Sequence, residues 1–370
     1  MADEILIKPD LKFVQRIMAA GGQDAKKCYQ CDTCSVVCNL TPENHPFPRK
    51  EMLQAQWGIK DVIKSPDIWL CHQCSDCTVH CPRGAKPGEV LGVLRQMCIE
   101  NYAIPPQLAR MVGDIRFLPL LVGFPVLLLL AALKITGRLA IPEGPIVFSK
   151  MFPWWMVDII FMAAAGFAVF VLAQGVIRYW RDINTSPWAV KLQGGVLANL
   201  IPVLQDILLH NRFKKCETTY ARSLNHLLVL FGFITLGLVT AWAFVREWVF
   251  HWPGPYPFFS PFKMLALLGT ALLIYGIYQI IVARQANADK AGFGTYFDWQ
   301  LIYIVAAVGI TGAASWLFRL TGIASLAYPV YFLHLTSVFI LFFFAPYTKM
   351  AHLVYRTVAM LYARMSGRGF

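Results

Sequence analysis

Six apolar stretches, each about 20 residues long and poor in charge, follow one another in the second part of the chain. They cover 117–135, 154–177, 226–245, 263–283, 298–318 and 326–348. About 20 apolar residues is what an α-helix needs to cross the hydrocarbon core of a bilayer. Within lipid every backbone N–H and C=O must be bonded inside the protein, so runs of this kind admit helices and little else. A buried helix of a soluble domain accounts for one such run, not for six in succession. Asp158 lies near one end of the second run.

The rest of the sequence differs from this half. The chain is 57% hydrophobic and 15% charged overall, less charged than a soluble domain, yet its first third is polar and holds nine of the ten cysteines. Two domains are therefore expected, a soluble one over 1–110 and a transmembrane one over 111–370. The net charge of +12 does not indicate nucleic acid, because the basic residues gather at the ends of the apolar runs. With the N-terminal domain in the cytoplasm, the inner segments after the first span carry thirteen lysines and arginines and the outer ones six. That bias predicts a multi-pass protein of the inner membrane with both termini cytoplasmic. No secretory signal precedes the first run. Clustered cysteines in a reducing compartment read as metal ligands rather than disulfides.

Short helices are expected over Leu11–Ala20 and Lys50–Trp57, and an amphipathic one over 86–102, with Pro105 and Pro106 marking the passage to the membrane. Residues 195–213 form an amphipathic stretch suited to lying along the cytoplasmic face.

The cysteines repeat one pattern. Cys28-x2-Cys31-x2-Cys34-x3-Cys38 recurs as Cys71-x2-Cys74-x2-Cys77-x3-Cys81, followed by Pro82. Three closely spaced thiolates wrap one face of a cubane, and the fourth reaches the neighbouring cluster. One [4Fe–4S] cluster is thus expected on Cys28, Cys31, Cys34 and Cys81, the other on Cys71, Cys74, Cys77 and Cys38. Structural zinc explains paired Cys-x2-Cys but not the third and fourth cysteines. Asn39 replaces the proline that usually follows such a motif; that proline is no ligand. Thirty-two residues separate Cys38 from Cys71. In this the region resembles, over roughly 10–105, the helical ferredoxin domain of succinate dehydrogenase iron–sulfur subunits and the small iron–sulfur subunit of heterodisulfide reductase. Cys98 and Cys216 are expected to be unliganded, and His45, His72 and His80 to be polar neighbours of the clusters.

Ionisable groups inside a bilayer are costly and call for a functional account. His226 opens the third run, His334 lies in the sixth and His352 follows it. Axial histidines on facing helices hold haem b. On one continuous helix His334 and His352 would stand about 27 Å apart, too far to share a haem. His226 and His352 lie at the same cytoplasmic level and form the expected pair.

The stretches SLNHLLVLFGFITL (223–236) and YFLHLTSVFILFFFAPYTKMAHLVYR (331–356) resemble the gamma subunit of respiratory nitrate reductase and its relatives. The resemblance implies that His226 and His352 ligate a cytoplasmic haem and that His334 ligates an outer one. Its second histidine on the earlier helix falls at Leu236, which cannot ligate, so an outer haem needs another partner. His251, just past the third run, is on the correct side, and His210 is on the wrong one. The resemblance also places Lys263 beside a quinol pocket, and Asp158 faces the same region.

An all-α fold follows: a helical ferredoxin domain with two [4Fe–4S] clusters, then a six-helix transmembrane haem b bundle. The fusion of these halves is similar to the third subunit of the quinone-interacting membrane-bound oxidoreductase complex of sulfate reducers. That resemblance implies two cytoplasmic flavin- and iron–sulfur-containing partner subunits, menaquinone as exchangeable substrate, and adenylylsulfate reductase at the far end of the path. The alternative is the membrane anchor of a heterodisulfide-reductase-like complex, although the chain has no adjacent Cys-Cys pair of its own. No glycine-rich dinucleotide fingerprint or P-loop indicates an organic catalytic site. Nor do repeats or broken helices indicate a transporter.

Overall fold

The computed structural model describes residues 8–186, 189–216, 222–252, 257 and 259–368. Every regular element among them is helical. The first part contains α1 (Leu11–Ile17), α2 (Thr33–Val36), α3 (Arg49–Gln56), α4 (Asp67–Leu70), α5 (Asp76–Val79), α6 (Pro87–Tyr102) and α7 (Pro106–Val112). The Asp10 side chain caps α1 by accepting from the Phe13 amide at 3.0 Å. The helix expected to reach Ala20 widens into a π turn at Met18, where Gly21 adopts φ 105 and ends the regular winding.

α6 is the spine of this half. Its expected amphipathic character is not what the structure shows: apolar Val90, Leu94 and Met97 are buried, and so are Arg95, Gln96 and Glu100. The cysteine loops and the membrane half enclose it from opposite sides, so it has no solvent face to keep polar. The anticipated domain boundary near residue 110 falls inside α7.

The second part contains α8 (Leu118–Ile135), α9 (Trp154–Thr185), α10 (Val196–Leu209), α11 (Arg222–Trp248), α12 (Pro261–Ala286), α13 (Tyr296–Thr321), α14 (Ala324–Phe343) and α15 (His352–Met365). All of these but α10 and α15 are long and apolar enough to span a bilayer, in agreement with the six runs. They make the chain a multi-pass membrane protein. α11 and α12 approach closely through small residues: a Cβ on Gly232 would stand 2.9 Å from the Leu273 nitrogen, and one on Gly276 3.0 Å from that of Val229.

The sixth run, expected to reach residue 348, ends earlier, and His352 follows it as the start of another helix. α14 stops at Phe343, and two 3₁₀ turns, Ala345–Tyr347 and Lys349–Ala351, intervene before α15. Pro346 cannot continue the α-helical ladder. His334 and His352 therefore sit on separate helices, and the continuous-helix distance between them does not apply.

The two halves share a core. α9 has 32 residues, about 48 Å of helix, so it outruns the hydrocarbon and its end packs on the first part. There Tyr179 meets Tyr102 edge-on at 5.3 Å and Tyr355 at 5.6 Å, while Trp69 stacks on Tyr355 at 5.3 Å. Such aromatic pairs contribute about 0.5–1.5 kcal/mol each beyond the area they bury. Arg178 of α9 donates to the terminal carbonyls of α6, at 3.0 Å from Asn101 O and 3.2 Å from Tyr102 O. It satisfies acceptors a helix end leaves open and places a cation at the negative end of the dipole. At the other end of the chain Arg368 donates to buried Asp67 at 3.0 Å.

Candidate metal centres

The repeated cysteine spacing produces a repeated backbone. Gln30 and Gln73 stand at equivalent places in the two motifs with φ 61 and 51, and Asp32 and Ser75 follow with φ 70 and 71. Left-handed conformations cost non-glycine residues about 1–2 kcal/mol each and persist where the surroundings demand them. Here they turn the first three sulfurs of each motif toward one hollow. Single helical turns, α2 and α5, then carry the fourth cysteine across. One cavity of about 340 Å³, open mouth included, is lined by Cys28, Cys31, Cys34 and Cys81. A second of about 340 Å³ is lined by Cys38, Cys71, Cys74 and Cys77.

The donor sets fit cubane iron–sulfur clusters. N–H groups point at the sulfurs: Gln30 Nε2 to Cys28 Sγ at 3.3 Å, the Ala85 amide to Cys81 Sγ at 3.4 Å, and the Gln73 amide to Cys71 Sγ at 3.3 Å. Burial, with neighbouring sulfurs adding to it, pushes the Cys34 and Cys38 thiols up to about 12. Thiolates in such quartets need a cationic centre among them. His72 lines the second cavity, and both its ring nitrogens are buried without a hydrogen-bond partner among the described residues. The first cavity faces outward, with Cys31 exposed and Tyr29 and Val36 exposed beside it.

Three histidines gather beyond the second cavity. His210, in left-handed conformation at the end of α10, places Nε2 2.7 Å from His226 Nδ1. The His226 and His352 rings stand 6.3 Å apart, nearly perpendicular at 85°. His352 Nδ1 donates to the Lys349 carbonyl at 2.5 Å. Each of these two rings thus has Nδ1 engaged and Nε2 left over, the pattern of an axial ligand oriented by a second partner. Two imidazoles on one metal, with bonds of about 2 Å, put their ring centres about 6 Å apart. Burial holds His352 down at about 3, neutral as ligation requires. These residues fit a bis-histidine haem.

Aromatic rings join the two places. Phe213 lies 4.6 Å from His72, 4.9 Å from His210 and 5.4 Å from His226. The loop between Cys71 and Cys74 is fixed to the membrane half. Arg222 of α11 donates to Gln73 O at 2.8 Å, and Lys349 donates to Gln73 Oε1 at 3.0 Å. Lys349 also pairs with Asp298 of α13, which is buried and caps its own helix with Thr295. Burial brings the Lys349 ammonium down to about 7, against the pull of Asp298.

The family model for a 4Fe-4S dicluster domain matches residues 24–85, and that for citrate utilization protein B matches 108–369. The chain belongs to the citrate utilization protein B family. The citrate utilization protein B of Escherichia coli is 27% identical over 379 aligned positions, covering 97% of this chain and 93% of its own. A subunit of the H2:CoB–CoM heterodisulfide,ferredoxin reductase of Methanothermobacter marburgensis is 36% identical over 87 residues, 23% of this chain and 47% of that one. An iron–sulfur subunit of the CoB–CoM heterodisulfide reductase of Methanocaldococcus jannaschii is 34% identical over 97 residues, 24% and 52% respectively. The matched segment spans about half the length of each of those two subunits. No solved structure matches the chain. The iron–sulfur half is thus similar to heterodisulfide reductase subunits, the resemblance its motifs suggested. Joined to six membrane helices, it makes this citrate utilization protein B family member a membrane-associated electron-transfer protein.

Away from the cysteines, this family member keeps its remaining marked residues apart. His334 accepts or donates at Thr311 Oγ1 over 3.1 Å and lies on Gly312 of α13. His251 is exposed in the loop after α11, and among the described residues no histidine ring packs on His334. Lys263 lies in the first turn of α12, where its amide donates to Ser260 Oγ at 3.3 Å. Asp158 accepts from Trp248 Nε1 at 2.7 Å.

His210, Phe213, Gln73 and Asp298 are site residues that sequence reasoning missed. His210 is on the wrong side for an outer haem because it lies on the side of His226. Asp298 carries a signal in principle, as an acid at the first position of an apolar run.

Proposed function

We propose that the chain moves electrons between menaquinone in the cytoplasmic membrane and a cytoplasmic partner, with both of its termini in the cytoplasm. The observation that carries this reading is the run of rings from His72 through Phe213 to His226 and His352, which begins at the second cysteine cavity. Two [4Fe–4S] clusters, on Cys28, Cys31, Cys34 and Cys81 and on Cys38, Cys71, Cys74 and Cys77, and a haem b on His226 and His352 would supply one-electron exchange. The protein's own part is to hold and tune. His210 and the Lys349 carbonyl orient the two imidazoles. The Gln73 amide and the Arg95 guanidinium, 3.8 Å from Cys71 Sγ, favour negative charge on that sulfur.

His334 is the residue we assign to an outer haem, with His251 as its partner; His251 would have to turn inward from its exposed loop. Lys263 borders the quinone site in this proposal, and Asp158 takes a proton released when quinol is oxidised. The exposed face around Tyr29, Cys31 and Val36 is where a soluble partner docks.

The resemblance to the sulfate reducers' complex makes that partner a pair of flavin- and iron–sulfur-containing subunits feeding adenylylsulfate reductase. A second reading is favoured by the Escherichia coli relative, which matches along 97% of the chain and is named for citrate utilization. In it the partner is a flavoprotein of citrate metabolism, and electrons run toward quinone.

The test is anaerobic reduction of the purified chain by a menaquinol analogue, followed by difference spectroscopy. A haem b band with broad cluster bleaching is expected, and His352→Ala should remove the band. A colourless preparation, or a variant that keeps full haem content, defeats the assignment. Reoxidation by adenylylsulfate reductase against reduction by a citrate-linked flavoprotein separates the two readings.

A further inference from the structure

We propose that Cys216 is a reserve ligand of the second cluster site, a fifth thiol from the membrane half that bonds iron in place of Cys74. The inference rests on the cluster assignment above and goes beyond it. Cys216 follows the 3₁₀ turn Asn211–Lys215 and is 2% exposed. It lies in the segment between α10, which His210 follows, and α11, which carries His226.

Its sulfur is not isolated. Cys74 Sγ, Cys216 Sγ and a carboxylate oxygen of Asp76 all lie within 4.8 Å of one another, and all three residues are buried. Asn39, next to Cys38, holds the segment in place by donating to Lys215 O at 3.1 Å. Cys216 adjoins the second cavity behind Cys74 and Asp76, which line it. An independent sign that this cavity receives a group is His72, which lines it at 5% exposure with neither ring nitrogen hydrogen-bonded among the described residues. Nothing in the cysteine motifs requires a fifth thiol; the fold delivers one from 142 positions downstream of Cys74, the difference between 216 and 74.

The exchange balances without an oxidant. The bond between iron and Cys74 Sγ breaks and one between iron and Cys216 Sγ forms. The Cys216 thiol proton would pass to Cys74 Sγ, which lies within 4.8 Å of it. No electron is gained or lost. Cys216 then ties the cluster directly to the segment that leads into α11, and so to the helix of His226.

The experiment uses the full chain purified anaerobically, with iron, acid-labile sulfide and the electron paramagnetic resonance of both reduced clusters as readouts. Cys77→Ala removes a ligand with no spare and should lower iron from about eight to about four atoms per chain. Cys74→Ala should keep near-parental iron with an altered second-cluster signal, and Cys74→Ala with Cys216→Ala should fall to the Cys77→Ala level. The proposal is overturned when Cys74→Ala loses as much iron as Cys77→Ala, or when the double variant retains what the single one does. Cys216→Ala alone leaves all four primary ligands, so its folding is not at issue. Loss of the neighbouring thiol should shift the second cluster's midpoint potential and spectrum, and parental values for both would also overturn the idea. A parental chain without acid-labile sulfide instead defeats the cluster assignment itself.

Discussion

His210 Nε2 lies 2.7 Å from His226 Nδ1, so the imidazole that faces His352 is oriented by a second imidazole from outside the membrane spans. For His226 to offer a lone pair at Nε2, its proton must sit on Nδ1 and be donated to His210. Removing that acceptor leaves the ring free to turn and to change tautomer. His210→Ala should weaken haem retention about 10–100-fold, as second-sphere losses do at metal sites. His226→Ala should abolish it. Haem b per chain after detergent washing measures both, and equal retention by parent and His210→Ala would remove His210 from the site.

The crossing of the fourth cysteines, expected from the motifs, makes a prediction that separates the two sites. Cys81 belongs to the second motif yet lines the first cavity, and Cys38 the reverse. Cys81→Ala should therefore extinguish the cluster of Cys28, Cys31 and Cys34 and spare the other. Cys38→Ala should do the opposite. Electron paramagnetic resonance of the reduced variants assigns each loss, and matching losses within one motif would contradict the geometry.

Lys349 and Asp298 form a pair of which Asp298 is 5% exposed. Removing one partner strands the other charge, at a cost of about 3–5 kcal/mol, whereas replacing both with apolar residues is often near neutral. Lys349→Met should lower the melting temperature more than Lys349→Met with Asp298→Leu. A double variant as unstable as the sum of the singles would show that the two do not interact.

Glu51 gives a pH dependence of known sign. It is fully buried, 3.3 Å from Lys50 Nζ and beside Asp67. Burial raises its carboxyl to about 7 from 4.5; Lys50 opposes the rise and Asp67 adds to it. A carboxyl whose folded value exceeds its unfolded one holds more protons when folded, so stability falls as pH rises from 4.5 to about 7. Above that the full cost, roughly 3 kcal/mol, is in force. Glu51→Gln should melt higher than the parent at pH 8, with the gap closing toward pH 5. A gap that does not depend on pH would mean that ionisation of Glu51 is not its cause.

What the sequence reveals and what it hides divides by range. The cysteine motifs are local, and their backbone repeats because the same spacing solves the same wrapping problem twice. The six runs are legible because lipid permits one answer to each. The break before His352 is less so: Pro346 lies at the end of an apolar run, and the turn is held by a contact from far away, the Tyr347 hydroxyl donating to Ile104 O at 2.5 Å. Amphipathicity failed for α6 because the partner that covers its other face is encoded far away, in α9 and α15. Gln73, Phe213 and Cys216 carry no signal of their own; they acquire roles from contacts across the halves. His210 looks like one more polar residue at the end of an amphipathic helix until α11 is placed beside it.

Gln73 is gripped through its carbonyl by Arg222 and through its amide oxygen by Lys349, and both grips come from the part of the chain that sits in lipid. A domain bolted down at the very loop that cradles its inner thiols cannot pivot out and back like a tethered courier. In the proposed path the journey is therefore the partner's: a soluble protein, bound for good or in passing, must bring its own redox group to the outward hollow.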